Sequence, residues 1–268
     1  MNRNCTLLFF LLLFVVRVSA HEYWLEPESF FLKPNEKAAV RLFLGEGLKK
    51  EEERPFQMSK TTMFKLFSAD GDFDLISSGR DEEMPLFTFA SERSGNYLLG
   101  LERNWSYITL EPEKFDEYLR EDGLEYILAE RERLGESKKE GRERYSRYIK
   151  GLMQVGDKRD KTFAKRIGLK LEIVPLENPY SKKAGEELSF QVLFQGKPLK
   201  DKTIFADNRD GEAISKQKLK TDAQGKTTVK LDRKGIWLVR LVYMQRCPKD
   251  CEGADWESFW SAFSFGVK

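Results

Sequence analysis

Short runs in which apolar and polar residues alternate recur through both halves of this chain, and that two-residue period commits most of its length to sheets. Lys37–Leu44 puts Val40, Leu42 and Leu44 on one face, and Met63–Phe67, Leu86–Phe89 and Tyr97–Leu101 follow. Turn formers such as Asp70-Gly71-Asp72 and Ser94-Gly95-Asn96 separate them. The pattern resumes at Leu169–Val174 and Glu187–Phe194. It continues through Thr227–Leu231 behind the turn Thr221–Lys226, then Ile236–Tyr243 and Phe259–Val267. About seven strands in about 100 residues is the size of an immunoglobulin-like sandwich. The chain is therefore expected to be mainly β, with two immunoglobulin-like β-sandwich domains at residues 21–110 and 166–268. The mixed-sign run Leu48–Arg54 reads as a solvated loop.

Between the sandwiches the period changes. Phe115, Tyr118 and Leu119, then Leu124, Ile127 and Leu128, fall at i, i+3, i+4 on either side of Gly123 and predict two helices. Tyr145, Tyr148, Ile149, Leu152 and Met153 extend the same spacing over two turns and predict a third, with Arg142, Arg144, Arg147 and Lys150 mostly off the stripe. Residues 111–165 thus read as a helical insert and linker. Arg142, Tyr145 and Arg147 are the candidates to line a ligand groove on it.

The first 20 residues carry a different message. Arg3, the apolar run Leu7–Val16 and the small residues Val18-Ser19-Ala20 form a signal peptide with cleavage after Ala20, too short to span a bilayer. An exported protein without stable membrane insertion is expected, periplasmic in a bacterium. Removing that segment takes Arg3 and Arg17 from 46 basic residues and leaves 44 against 44 acidic ones. A balanced chain gives no argument for nucleic acid as a partner. Cys247 and Cys251, in Cys-Pro-Lys-Asp-Cys, are expected to form a disulfide in that compartment.

Cleavage also makes His21, the single histidine of the chain, the mature N-terminal residue. Its amine and imidazole Nδ1 would form a two-nitrogen chelate for a divalent transition metal, nickel, cobalt or copper, with Glu22 and Glu26 as further donors. With its single histidine assigned to the mature N-terminus no Ser-His-Asp or Cys-His arrangement stands out, no glycine-rich phosphate loop is present, and no enzyme activity is expected. A copper oxygenase with a histidine brace needs a second histidine.

Four stretches in combination carry a resemblance: His21-Glu22-Tyr23-Trp24-Leu25-Glu26-Pro27, Arg142–Lys150, the Thr221-Asp222…Gly225 turn with Gly235-Ile236-Trp237, and Ala254-Asp255-Trp256-Glu257-Ser258-Phe259-Trp260. Together they resemble the secreted bacterial family DUF4198, whose members are described as NikM-like periplasmic components of nickel uptake. The resemblance covers essentially the whole mature chain and implies two β-sandwiches with a helical insert in the periplasm. Two functions are then expected to compete. One is metal binding at His21 with delivery to an inner-membrane metal transporter. The other is a metal-free binding or adhesion module for a sugar, a peptide or an envelope protein.

Overall fold

The computed structural model describes residues 21–248 and 251–268, so the expected signal segment and its cleavage site lie outside the described residues. The first half contributes β1 (Glu22–Pro27), β2 (Phe31–Leu32), β3 (Ala38–Glu46), β4 (Lys49–Arg54), β5 (Thr61–Ser68), β6 (Gly71–Asp74), β7 (Phe87–Phe89) and β8 (Gly95–Leu110). Helices α1 (Pro112–Glu121) and α2 (Glu125–Arg133) follow, then β9 (Gly141–Val155). The second half contributes β10 (Leu171–Pro175), β11 (Glu187–Phe194), β12 (Lys197–Pro198), β13 (Thr203–Asp210), β14 (Ala213–Lys220), β15 (Lys226–Lys230), β16 (Gly235–Arg246) and β17 (Trp256–Val267). The protein is mainly β, as its alternation requires.

A central sheet in the order β14-β13-β16-β17-β9-β8-β5-β6, with β2 beside the end of β9, draws strands from both halves of the chain. The halves meet where β17 pairs with β9 in parallel register. Two smaller sheets cover its opposite faces. Successive residues of a strand point to opposite faces, and β9 shows the consequence. Ile149 and Met153 join Trp24, Leu25, Val40 and Leu42 under the sheet of β1, β3, β4 and β7. Tyr148 and Leu152 join Ile173, Phe190 and Val192 under the sheet of β10, β11, β12 and β15. Gly151 lets β1 approach closely, since a Cβ there would lie 3.1 Å from Cβ of Leu25.

Two sequence expectations are corrected. Residues 142–153 form no helix; they belong to β9, which is paired on both edges. A strand buried on both faces is a run of apolar residues with no visible alternation, and Tyr148 to Val155 are all buried. The expected loop Leu48–Arg54 is largely β4, an edge strand whose Lys and Glu side chains discourage pairing with another chain.

Helix α1 is amphipathic, and the two helices dock beside the first outer sheet on the same face of the central sheet. Phe115, Tyr118, Leu119 and Ile127 bury against Val242, Met244 and Trp256. Pro112 begins α1 at a position where a missing N–H costs nothing, and Gly123 (φ 71°) breaks the chain between the helices.

Candidate functional site

The space between the first outer sheet and α1 is floored by β9 and β17. Glu143, Tyr145 and Arg147 occupy alternate positions of β9 and share a face. Parallel register sets Trp256 beside Glu143, Ser258 beside Tyr145 and Trp260 beside Arg147. His21 and Tyr23 close one side, Tyr118 the other, and Leu44, Ile108 and Leu110 complete a cleft of about 320 Å³.

One wall is a closed hydrogen-bond relay. Trp260 Nε1 donates to Ser258 Oγ at 3.0 Å, Ser258 Oγ donates to Glu143 Oε1, and Tyr118 Oη donates to the same carboxyl oxygen at 3.1 Å. The Tyr118 ring stacks on Trp260, centroids 6.0 Å apart and planes within 7°. Burial disfavours the charged form and pushes the Glu143 carboxyl up to about 7, although Ser258, Tyr118 and Arg147 all act to lower it. The same burial, with the Glu143 charge beside it, holds the Tyr118 phenol well above its ordinary value.

Arg147 is the cleft's permanent cation. Its guanidinium lies over three rings, 4.2 Å from the centroid of Tyr23 and 5.0 Å from those of Tyr145 and Trp260. Nη2 donates to the His21 carbonyl at 3.3 Å, while Nη1 is buried without a hydrogen-bond partner.

The residues singled out from sequence divide accordingly. His21, Tyr145 and Arg147 meet in the cleft. Arg142 is outside it, in a two-bond pair with Asp255 at 2.7 and 2.9 Å. Glu22 and Glu26 leave β1 on the face opposite that of Tyr23 and His21 and are committed elsewhere. Glu26 Oε1 is 2.7 Å from Arg209 and 2.8 Å from Lys50, and Oε2 accepts from Trp24 Nε1. Glu22 joins Asp207 and Asp122 around Arg240 at 2.5, 2.6 and 3.6 Å, all four side chains buried. The structure thus does not bring them together with the His21 side chain. The histidine instead pairs through Nε2 with Glu51 of β4 at 2.7 Å. β1 and β4 flank β3 at Gly45, opposite which β4 carries one extra residue, Glu51, and where a Cβ would lie 1.9 Å from the Lys49 carbonyl oxygen.

Cys247 and Cys251 are disulfide-bonded, as expected. Their sulfurs and a Glu257 oxygen lie within 4.8 Å of one another, but sulfurs joined in a disulfide are not thiolate ligands, and Glu257 is held by Arg144 at 2.7 Å. Sequence reasoning did not find Tyr23, Tyr118, Glu143 or Trp260 as cleft residues, nor Glu51 as the partner of His21. Each reaches the site through pairing or packing across long stretches of chain.

No curated protein matches the sequence. Among solved structures, trypsin-activated alpha-2-macroglobulin from Escherichia coli aligns at 10% identity and a TM-score of 0.22, over 92% of this chain and 16% of that one. Three N-terminal domains of the outer capsid protein Hoc of bacteriophage RB49 align at 10% and 0.20, over 91% and 59%. Scores of this size establish no common fold. A family model does match, over residues 18–245 and so across both halves of the central sheet, and the chain belongs to that family, the domain of unknown function DUF4198.

Proposed function

We propose that this is an exported binding protein, not a catalyst, and that its ligand sits in the cleft between α1 and the first outer sheet. The single observation that carries this reading is the convergence of a few oriented polar groups, led by Arg147, on a cleft of ligand size whose walls are otherwise aromatic and aliphatic. The relay through Trp260, Ser258, Glu143 and Tyr118 fixes that wall in advance of binding, which lowers the entropy a ligand must overcome. The two immunoglobulin-like sandwiches enter the proposal as two halves sharing the central sheet, a reading supported by one outer sheet lying on each face. Native mass spectrometry of protein purified from its host tests the proposal. A small molecule should be retained by the native protein and lost when Ile108→Trp fills the cleft. Retention by the filled variant would refute it.

A second reading is favoured by Glu51. A carboxylate 2.7 Å from Nε2 fixes the imidazole so that Nδ1 is the nitrogen left for a metal, the arrangement that commonly supports histidine ligands. In this reading a mature His21 holds copper, nickel or cobalt through Nδ1 and its amine and delivers it to an inner-membrane transporter. Calorimetry with copper(II) and nickel(II) decides it. Adding one residue before His21 should weaken binding as much as His21→Ala, and Glu51→Gln should weaken it by about 10- to 100-fold. Equal affinity in the extended form would remove the amine as a ligand.

A further inference from the structure

Arg142 and Arg144 lie on one face of β9 and each has an acid on or beside β17, whereas Arg147 lies on the other face, that of Glu143 and Tyr145. Arg142 pairs with Asp255 and Arg144 with Glu257, each across a separation of 113 residues. Arg147 stands at the same offset from Trp260, and among the described residues no carboxylate pairs with it. Stacking on rings occupies the faces of a guanidinium, whereas its N–H donors lie in its plane and remain to be filled. Nη1 is such a donor, removed from water without an acceptor. An unfilled charged donor of this kind is costly in a free protein and is matched by an oxyanion.

The void behind Arg147, about 10 Å³ between Glu22 and Arg240, is the size of one water at most. The cleft, which Arg147 lines, is the larger of the two spaces beside the guanidinium and the one with room for a ligand. We propose that Arg147 anchors the carboxylate of a small organic acid whose apolar body lies against Leu44, Ile108, Leu110 and Trp260. This deepens the binding reading and rests on it. A monoanion is favoured over phosphate because the cleft supplies one permanent positive charge and also holds Glu143, whose carboxylate would oppose a second negative charge.

The groups facing Glu143 are Tyr118 from α1, Ser258 and Trp260 from β17, and Arg147 on its own strand. His21, Tyr23 and Tyr145 also line the cleft. Protonating Glu143 removes a negative charge near the anion, so affinity should fall as pH rises through about 7. The Glu143→Gln variant should lose that dependence, and His21→Gln should keep it.

Calorimetry on the exported protein, with phenylacetate as probe and phenylacetamide and inorganic phosphate as comparisons, tests the inference. Phenylacetate should bind at least 10-fold more tightly than either. Arg147→Met should lose at least 10-fold, and Arg147→Lys, which keeps the charge, should retain part of it. Equal binding of phenylacetate and phenylacetamide, both lost in Ile108→Trp, would overturn the anion anchor and leave the cleft reading intact. Undiminished phenylacetate binding by Ile108→Trp would sink both. Failure of phenylacetate to bind at all would overturn the anchor.

Discussion

Arg240 is the sharpest test of how the charges under the cleft hold the two halves of the molecule together. Its guanidinium, 4% exposed, reaches Glu22 of β1 at 2.5 Å, Asp207 of β13 at 2.6 Å and Asp122 at the end of α1 at 3.6 Å. One cation therefore ties the first outer sheet and the helices to the central sheet. Burial raises the carboxyl of Glu22 above its ordinary range and that of Asp122 well above it, and the charge of Arg240 is the main influence lowering both. Replacing Arg240 with Met leaves three buried carboxylates without their cation. Breaking a buried pair in this way costs about 3–5 kcal/mol. The sign of the pH dependence follows from the raised folded values. Each such carboxyl contributes its full stability below its unfolded pKa, 4.5 for Glu22 and 3.8 for Asp122, and loses it as pH climbs through the folded value. Without Arg240 the folded values rise further. The gap between native and variant should therefore widen with pH, by about 1.4 kcal/mol per unit for each carboxyl that ionises beside the arginine but stays protonated without it. Urea unfolding of both proteins from pH 5 to 8, followed by circular dichroism, measures the gap. A gap as large at pH 5 as at pH 7 would refute the electrostatic reasoning and leave only lost packing against Phe205.

Glu143→Gln keeps an acceptor for Tyr118 and Ser258 but cannot ionise. The native contribution declines from pH 4.5 to about 7, by ~3 kcal/mol, and urea unfolding of the variant should show that slope removed. Cys251→Ser opens a loop of about five residues, so it should cost about 2 kcal/mol by the loop-entropy model, and reductant should destabilise the native protein equally while leaving the variant unchanged. Gly141→Ala places a Cβ 2.1 Å from the Phe115 ring and should cost about 1–3 kcal/mol, with a loss of near-ultraviolet dichroism from the adjoining Tyr118–Trp260 stack. An unchanged midpoint would mean that α1 is free to move away.

What the sequence makes legible is what its nearest neighbours decide. Val192 and Phe190 alternate with Gln191 and Ser189 because one face of β11 meets water and the other the core, and the strand Glu187–Phe194 is readable as it stands. The short spacing of Cys247 and Cys251 made their disulfide readable in the same way. β9 is different. Ser146, Lys150 and Gln154 are buried among its apolar residues, with Lys150 paired to Glu172 at 3.0 Å, so neither alternation nor a polar face survives, and Tyr145, Tyr148, Ile149 and Leu152 imitate a helix. The cleft stands on that strand and shared its illegibility.

A signal was nevertheless present, in a form that local period analysis does not read. Arg142 and Arg144 match Asp255 and Glu257 in spacing and opposite sign, which is what two strands in parallel register require when their side chains share a face. The offset that pairs them carries Glu143 to Trp256 and Arg147 to Trp260. Arg147, however, stands at an odd position of β9, on the face opposite Arg142 and Arg144, where its neighbour on β17 is Trp260 and no ladder of acids runs. A tryptophan there leaves Arg147 stacked, desolvated and without a carboxylate of its own. The face of β9 that carries an arginine without an acid opposite it, not the arginines as a group, is therefore the part of this sequence that marks a binding site.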